Sequence, residues 1–65
     1  MSNIALDNRI FLLQHTTGLT PELKRQLMLA DIAYLNDKDS DAQAIVSGIE
    51  TSCVEQGIKI FSCPF

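Results

Sequence analysis

Aromatic and positively charged side chains are both scarce in this sequence, and each shortage excludes a class of protein. Aromatic residues make up 6% of the 65, and Trp is absent, so an interior has to be built from aliphatic side chains, which suits packed helices. Lys and Arg together number five against eight Asp and Glu, for a net charge of −3. The five are scattered along the chain, whereas nucleic-acid binding needs clustered cations that neutralise phosphates. We therefore expect no nucleic-acid partner.

Long apolar runs and glycine-rich phosphate loops are also missing. No stretch approaches the roughly 20 apolar residues of a membrane-spanning helix, and no charged segment followed by an apolar one indicates secretion. We therefore expect a cytoplasmic protein without a membrane partner. In that compartment Cys53 and Cys63 are free thiols, and the sequence leaves open whether they ever pair.

The residues that carry chemistry are few. With His15 as the only His and no Cys-x-x-Cys spacing, neither a zinc site nor a Cys–His nucleophile is indicated. We expect that the chain is not an enzyme and that it binds no metal and no cofactor itself.

Three aspartates alternate in the polar middle of the chain in the manner of a calcium-binding loop. Asp37, Asp39 and Asp41 match the first half of an EF-hand loop, but Ala42 and Gly48 stand where that loop needs Gly and Glu. The segment is therefore interpreted as a solvated linker that caps the helix after it.

Apolar periodicity and helix-end signals predict an all-α fold, a small bundle of three to four short helices. Asp7 is a candidate N-cap for a first helix that runs to about Gln14, and Gly18 can adopt the left-handed conformation after it. Thr20 and Pro21 form a strong start for the second helix, since Thr caps and Pro fits the first helical position.

The second helix carries one clear apolar face, made by Leu23, Leu27 and Ala30. It either stops near Asp31, which then caps a further short helix, or continues unbroken to Leu35. Both alternatives remain open at this point.

The third helix is predicted to start at the good capping residues Ser40 and Asp41 and to end at Gly57. Its apolar stripe consists of Ala42, Ile45, Val46, Ile49 and Cys53.

The chain ends in an apolar segment, which sets a tail, 57–65, apart from a helical domain, 1–56. A small soluble protein gains nothing from an apolar terminus in water, so this tail is expected to lie in the protein's own core, against a second copy or in another protein's groove. No helix signal continues after Gly57, and Ile58 and Ile60 favour extended backbone. We expect an extended apolar tail that is mobile in the free protein and ordered in a complex.

The middle of the chain carries a recognisable motif. Gly-Leu-Thr-Pro-Glu at 18–22 is followed by Met28, Asp31 and Leu35. The segment from roughly residue 6 to residue 35, about half of the chain, resembles the small helical domain shared by the alpha subunits of protocatechuate-type ring-opening dioxygenases and the leader-like domain of split borosin precursors. It departs from their pattern at Ala30, where a Gly usually precedes the acidic residue.

The resemblance, together with the apolar tail, implies the ribosomally made precursor peptide of a borosin. In such precursors the helical domain docks on a separate methyltransferase, which N-methylates backbone amides of the C-terminal tail with S-adenosylmethionine bound by the enzyme. Pro64 has no amide hydrogen and cannot be a target. The candidate modified residues are Ile58, Lys59, Ile60, Phe61, Ser62 and Cys63.

Docking on a methyltransferase or another protein is expected to use apolar surface of the helical domain. The candidate partner-binding residues are Leu19, Leu23, Leu27 and Ile32. Two other functions remain open: a small acidic protein-binding regulator or inhibitor that uses its helical face and apolar tail, and a homodimer in which the tail is swapped or added as a strand.

Overall fold

A computed structural model describes residues 4–62, and these residues form three helices and no strand. The helices are α1 (Ile4–Gln14), α2 (Pro21–Leu35) and α3 (Asp39–Gln56). The prediction of an all-α fold with three to four helices is confirmed for this part of the chain. The C-terminal residues 63–65, which belong to the predicted tail, lie outside the described residues.

The start of α2 follows the predicted local chemistry. The Thr20 side chain accepts a hydrogen bond from the Leu23 N–H at 3.2 Å, and Pro21 occupies the first turn, where its missing N–H costs nothing. The helix passes through Asp31 without a break to Leu35, so the continuous alternative is the observed one.

The starts of α1 and α3 differ from their predicted positions. The first helix begins at Ile4, so Asp7 lies in its first turn and not at its cap. The third begins at Asp39 after Lys38, whose side chain makes no capping hydrogen bond. Asp41, predicted as a cap together with Ser40, is therefore inside the helix. Carboxylates in a first turn interact favourably with the positive end of the helix dipole, which allows each helix to start earlier than its best capping residue.

The end of α3 is closed by a Schellman motif, as the Gly57 signal predicts. Gly57 has φ 72°, and its N–H donates to the Val54 carbonyl at 3.3 Å. The N–H of Ile58 donates to the Cys53 carbonyl at 2.8 Å. Together these two bonds satisfy carbonyls that would otherwise have no partner.

The end of α2 has the same hydrogen bonds around a different residue. Asp37 takes the left-handed position with φ 61°, and its N–H donates to the Tyr34 carbonyl at 3.1 Å. The N–H of Lys38 donates to the Ala33 carbonyl at 2.9 Å. A non-glycine residue is strained in this conformation, although Asp tolerates it better than most.

All three helices contribute to one core. The longest shared interface is that between α2 and α3, which form an antiparallel hairpin across the short connection 36–38. The Cα atoms span 33 × 29 × 14 Å, and with helices packed roughly 8–10 Å apart the thin dimension holds two layers. The buried apolar side chains are Leu6, Ile10, Leu13, Leu19, Leu23, Leu27, Ala30, Ala42, Val46, Ile49 and Cys53.

Candidate partner-binding surface and C-terminal segment

The structure divides the four predicted partner-binding residues between the core and the surface. Leu19, Leu23 and Leu27 are buried members of the core. A chain of this size has a small core that needs most of its large apolar side chains, and these three belong to it. Of the four, only Ile32 reaches solvent, with 48% of its surface exposed.

A second apolar face of α2 points away from the core. Met28, Leu29, Ile32 and Leu35 are 63%, 52%, 48% and 72% exposed, and their spacing places them along one side of the helix. We call these four residues the outer strip. Sequence reasoning missed three of them because α2 carries two apolar stripes, and periodicity alone does not say which stripe faces the core. The one available signal was the presence of more apolar positions in α2 than a single buried face can use.

The outer strip continues into an open groove between the second half of α2 and the first half of α3. Leu29 and Ile32 line one wall, and Ala44 and Ile45 line the other. Lys38 and Asp41 add one charge of each sign to the lining of the groove. Among the described residues, no group of three His, Cys, Asp or Glu side chains is placed to bind a metal ion. A groove with apolar walls and a few charges is a shape that an apolar side chain of a partner can enter.

The described part of the tail after Gly57, residues 58–62, lies against the helical body. It has neither helical nor strand structure, but Ile58 and Ile60 are partly buried and pack on the core. Of the three locations expected for the tail, the structure therefore shows the protein's own core for these residues, and the mobility of the tail in the free protein stays a prediction. Gly57 turns the chain back after α3, and the two Ile side chains gain burial by following it.

One backbone amide of the tail is tied to the loop after α1. The N–H of Phe61 donates to the Thr16 hydroxyl oxygen at 2.9 Å. The same hydroxyl donates to the Leu12 carbonyl at 2.8 Å, which directs its oxygen lone pairs away from α1. Thr16 is buried, and its hydroxyl therefore belongs to the body while serving the tail.

The ring of Phe61 adds a second contact beside this hydrogen bond. The His15 ring lies between two phenyl rings, with its centroid 4.3 Å from that of Phe11 and 5.6 Å from that of Phe61. Both pairs are tilted, at 49° and 39°, a geometry that aromatic pairs favour. His15 follows the last residue of α1 and so connects that helix to the tail.

The candidate modified residues fall into two groups. Ile58, Lys59, Ile60, Phe61 and Ser62 are described and lie outside every helix, and the sixth, Cys63, lies outside the described residues. The amide of Ile58 donates to the Cys53 carbonyl, and the amide of Phe61 donates to the Thr16 hydroxyl. Those of Lys59 and Ile60 make no hydrogen bond with another described residue.

The described cysteine is not arranged as a nucleophile. Cys53 is fully buried in the core of α3. Burial raises the pKa of its thiol, and the Glu50 carboxylate raises that pKa further. Reactive cysteines need a lowered pKa and access to solvent, and Cys53 has neither.

A polar contact joins α1 to α3 on the surface. Arg9 Nη2 and Nε donate to the two carboxylate oxygens of Glu50 at 2.6 and 3.2 Å, and Nη2 also donates to the Ser47 hydroxyl at 3.1 Å. The hydrogen bonds that Arg9 donates to Glu50 raise the pKa of Arg9, against a smaller opposing effect of burial. This paired arrangement orients both side chains and links α1 to α3.

None of the helices in the described chain has both the length and the apolar character needed to cross a membrane. No protein-family model matches the sequence, and no curated protein or solved structure is significantly similar to it.

Proposed function

We propose that this chain is a peptide substrate, the ribosomally made precursor of a borosin. In this proposal the helical body docks on a separate methyltransferase, and backbone amides in the C-terminal segment are N-methylated by that enzyme with its own S-adenosylmethionine. The observation that supports docking is the outer strip on α2, an apolar face that the fold leaves uncovered.

The outer strip suits docking because it is separate from the core. The inner face of α2, with Leu23 and Leu27, is buried in the body, so a partner can cover the outer face without unfolding the chain. Apolar positions on one side of a helix are the anchors by which amphipathic helices enter a partner's hydrophobic groove. We expect the partner to present such a groove, complementary to Leu29 and Ile32.

The segment after Gly57 suits methylation because its backbone is outside the helices. Amide N–H groups inside a helix donate to carbonyls one turn earlier, so a methyl group there would break the helix. In 58–62 the amides of Lys59 and Ile60 have no such partner among the described residues. Each transfer would form a bond between the amide nitrogen and the methyl carbon, break the bond between that carbon and the sulfonium sulfur, and release the amide proton to a base of the enzyme.

The test is co-expression with the S-adenosylmethionine-dependent methyltransferase encoded nearest to this chain. Mass spectrometry of the intact chain should show added methyl masses, and fragment ions should place them within 58–63. An unmodified tail, or methyl groups found only within the helices, would contradict the proposal.

A pair of variants tests the docking surface. Leu29→Glu and Ile32→Glu together should abolish methylation while leaving the helical content unchanged, because exposed residues usually change stability by less than about 0.5 kcal/mol. The matched control is Val54→Glu, which places a charge on another exposed apolar residue (78% exposed) near the far end of α3. Equal methylation of both variants would show that docking uses a different surface.

One observation favours a second function, a small protein-binding regulator or inhibitor. Ile58 and Ile60 are partly buried against the core, as expected if the tail is a permanent part of the body. In that case the outer strip would bind a partner without any chemistry on the tail. A partner that binds the chain through the outer strip and leaves its mass unchanged would favour this function.

A further inference from the structure

The hydrogen bond between Phe61 and Thr16 involves an amide that the proposed function would modify. Its donor is the Phe61 N–H and its acceptor is the Thr16 hydroxyl oxygen, 2.9 Å away. Since Thr16 is buried and its own proton goes to the Leu12 carbonyl, the acceptor is already oriented toward the tail. Little free energy is therefore needed to orient the Thr16 hydroxyl when the hydrogen bond to the tail forms.

Three other contacts also hold the tail on the helical body. The rings of His15 and Phe61 are in contact, and Ile58 and Ile60 are partly buried on either side of Lys59, which is exposed. We define the latch as the Thr16–Phe61 hydrogen bond together with the His15–Phe61 ring contact. The latch closes the segment 58–62 onto the end of α1.

We propose that the latch holds the tail on the body before modification and that N-methylation of the Phe61 amide opens it. The opening step rests on the proposed function, while the latch itself does not. A closed latch holds the backbone of 58–62 against the body, so entry of the tail into the enzyme's active site has to compete with it. A methylated Phe61 cannot close it again, and the product tail therefore stays off the body.

The chemistry of the opening is steric as well as polar. Methylation replaces the hydrogen that Thr16 accepts, so the bond is lost. The new carbon lies about 1.46 Å from the nitrogen and needs about 3.3 Å to the oxygen, so along the former bond direction the nitrogen has to move to roughly 4.8 Å from the hydroxyl. The Phe61 ring cannot keep its present contact with His15 after a shift of this size.

The latch can be tested without any methyltransferase. The full chain is assembled by native chemical ligation between Ser52 and Cys53, with residues 53–65 made synthetically. One product carries N-methyl Phe61, and the control carries N-methyl Lys59, whose amide has no described hydrogen-bond partner. NMR measures the nuclear Overhauser contacts between the His15 and Phe61 rings in each product and in the unmodified chain.

We expect these ring contacts in the unmodified chain and in the N-methyl Lys59 control, and their loss in the N-methyl Phe61 chain. Equal ring contacts in both methylated chains would overturn the opening step. Absence of the contacts in the unmodified chain would overturn the latch.

A second pair of variants tests the hydrogen bond on its own. In the unmodified chain the Phe61 amide should exchange with solvent about tenfold more slowly than in an unstructured peptide, the protection given by one modest hydrogen bond. Thr16→Val keeps the shape and removes the hydroxyl, and should abolish that protection. Thr16→Ser keeps the hydroxyl and should retain it. Equal exchange in the two variants would show that Thr16 does not hold the tail.

These outcomes separate the latch from the proposed function. If the latch experiments succeed and co-expression leaves the tail unmodified, the latch stands as a property of the free chain and the borosin proposal fails. If the tail is methylated and the latch experiments fail, the function stands and the tail reaches the enzyme without having to be released.

Discussion

The molecule can be compared as two halves, the α2–α3 hairpin and α1 with the tail. The contacts that stabilise the two halves differ in kind. The α2–α3 hairpin joins two helices across only three connecting residues, 36–38, and they share the longest interface in the molecule. Its contacts are apolar and largely buried, through Leu23 and Leu27 from α2 and Val46 and Ile49 from α3.

The other half, α1 with the tail, makes smaller interfaces with the hairpin and adds polar contacts between residues far apart in sequence. Arg9 contacts Glu50, 41 positions away, and Phe61 contacts Thr16, 45 positions away. Contacts of this kind form only after long loops have closed, which costs entropy that the hairpin does not have to overcome. We infer that the hairpin is the more stable unit and that α1 and the tail open first.

The largest expected effect tests this difference with two fully buried residues, one in each half. Ile49→Ala in α3 removes core volume from the hairpin and should lower the free energy of unfolding by roughly 2–5 kcal/mol. A loss of that size is a large part of the stability of so small a protein. Amide exchange should then speed up in all three helices together, because no part of the fold survives without the hairpin.

The matched variant is Leu13→Ala in α1, at a position that is equally buried. Here exchange should speed up in α1 and in the tail more than in α2 and α3. Residue-resolved hydrogen exchange measures both variants. An equal loss of protection in all three helices of the Leu13→Ala protein would show that the molecule is a single cooperative unit and that the two halves do not differ.

The features that could be predicted from the sequence are those decided within a few residues. Thr20 with Pro21 marks the start of α2, and Gly57 marks the end of α3, because capping depends on local hydrogen bonds and backbone conformation. The inner face of α3 follows from the periodicity of its apolar stripe.

The contacts that position α1 and the tail could not be predicted, because nothing in a linear sequence pairs residues more than 40 positions apart. For Thr16 and Phe61 there is no local signal that one will accept a hydrogen bond from the other.

The outer strip was missed for a related reason: Leu27 and Leu29 are the same residue type two positions apart, and only the packing of α3 decides that the first is buried and the second exposed. The left-handed Asp37 gives a similar lesson, since the loop sequence offers Asn36 and Asp37 as equally plausible turn residues.

A smaller effect is expected at the two helix ends, which share the same hydrogen bonds but differ in residue. Gly57→Ala should destabilise the protein by roughly 1–2 kcal/mol, because a Cβ is strained at positive φ, even though no described residue beyond the two chain neighbours has an atom within 4 Å of the added carbon. The loss should be greatest in the exchange protection of the tail, which Gly57 directs onto α1.

The control is Asp37→Gly at the end of α2. It relieves the same strain but makes the unfolded chain more flexible, so the net change should stay within about 0.5 kcal/mol. Urea unfolding of both variants measures the difference. A larger loss for Asp37→Gly than for Gly57→Ala would show that the Asp37 side chain stabilises the hairpin in some way beyond its backbone conformation.

The smallest effect concerns the ion pair that positions α1 on α3. Arg9 and Glu50 are each about one-third exposed (34% for both side chains), so solvent screens much of their attraction, and the pair should contribute at most about 1 kcal/mol. Glu50→Gln keeps the shape and removes one charge of the pair, and Arg9→Met keeps the aliphatic stem and removes the other. Both single variants and the double variant should be compared by urea unfolding at low and high salt.

We expect a coupling energy that shrinks as salt is added, because ionic screening weakens partly exposed pairs. In the variants, amide exchange should be faster in α1, with little change in the hairpin. A coupling energy of zero at low salt would mean that α1 is held by its apolar face alone, and the contrast between the two halves would then be one of interface size and not of contact type.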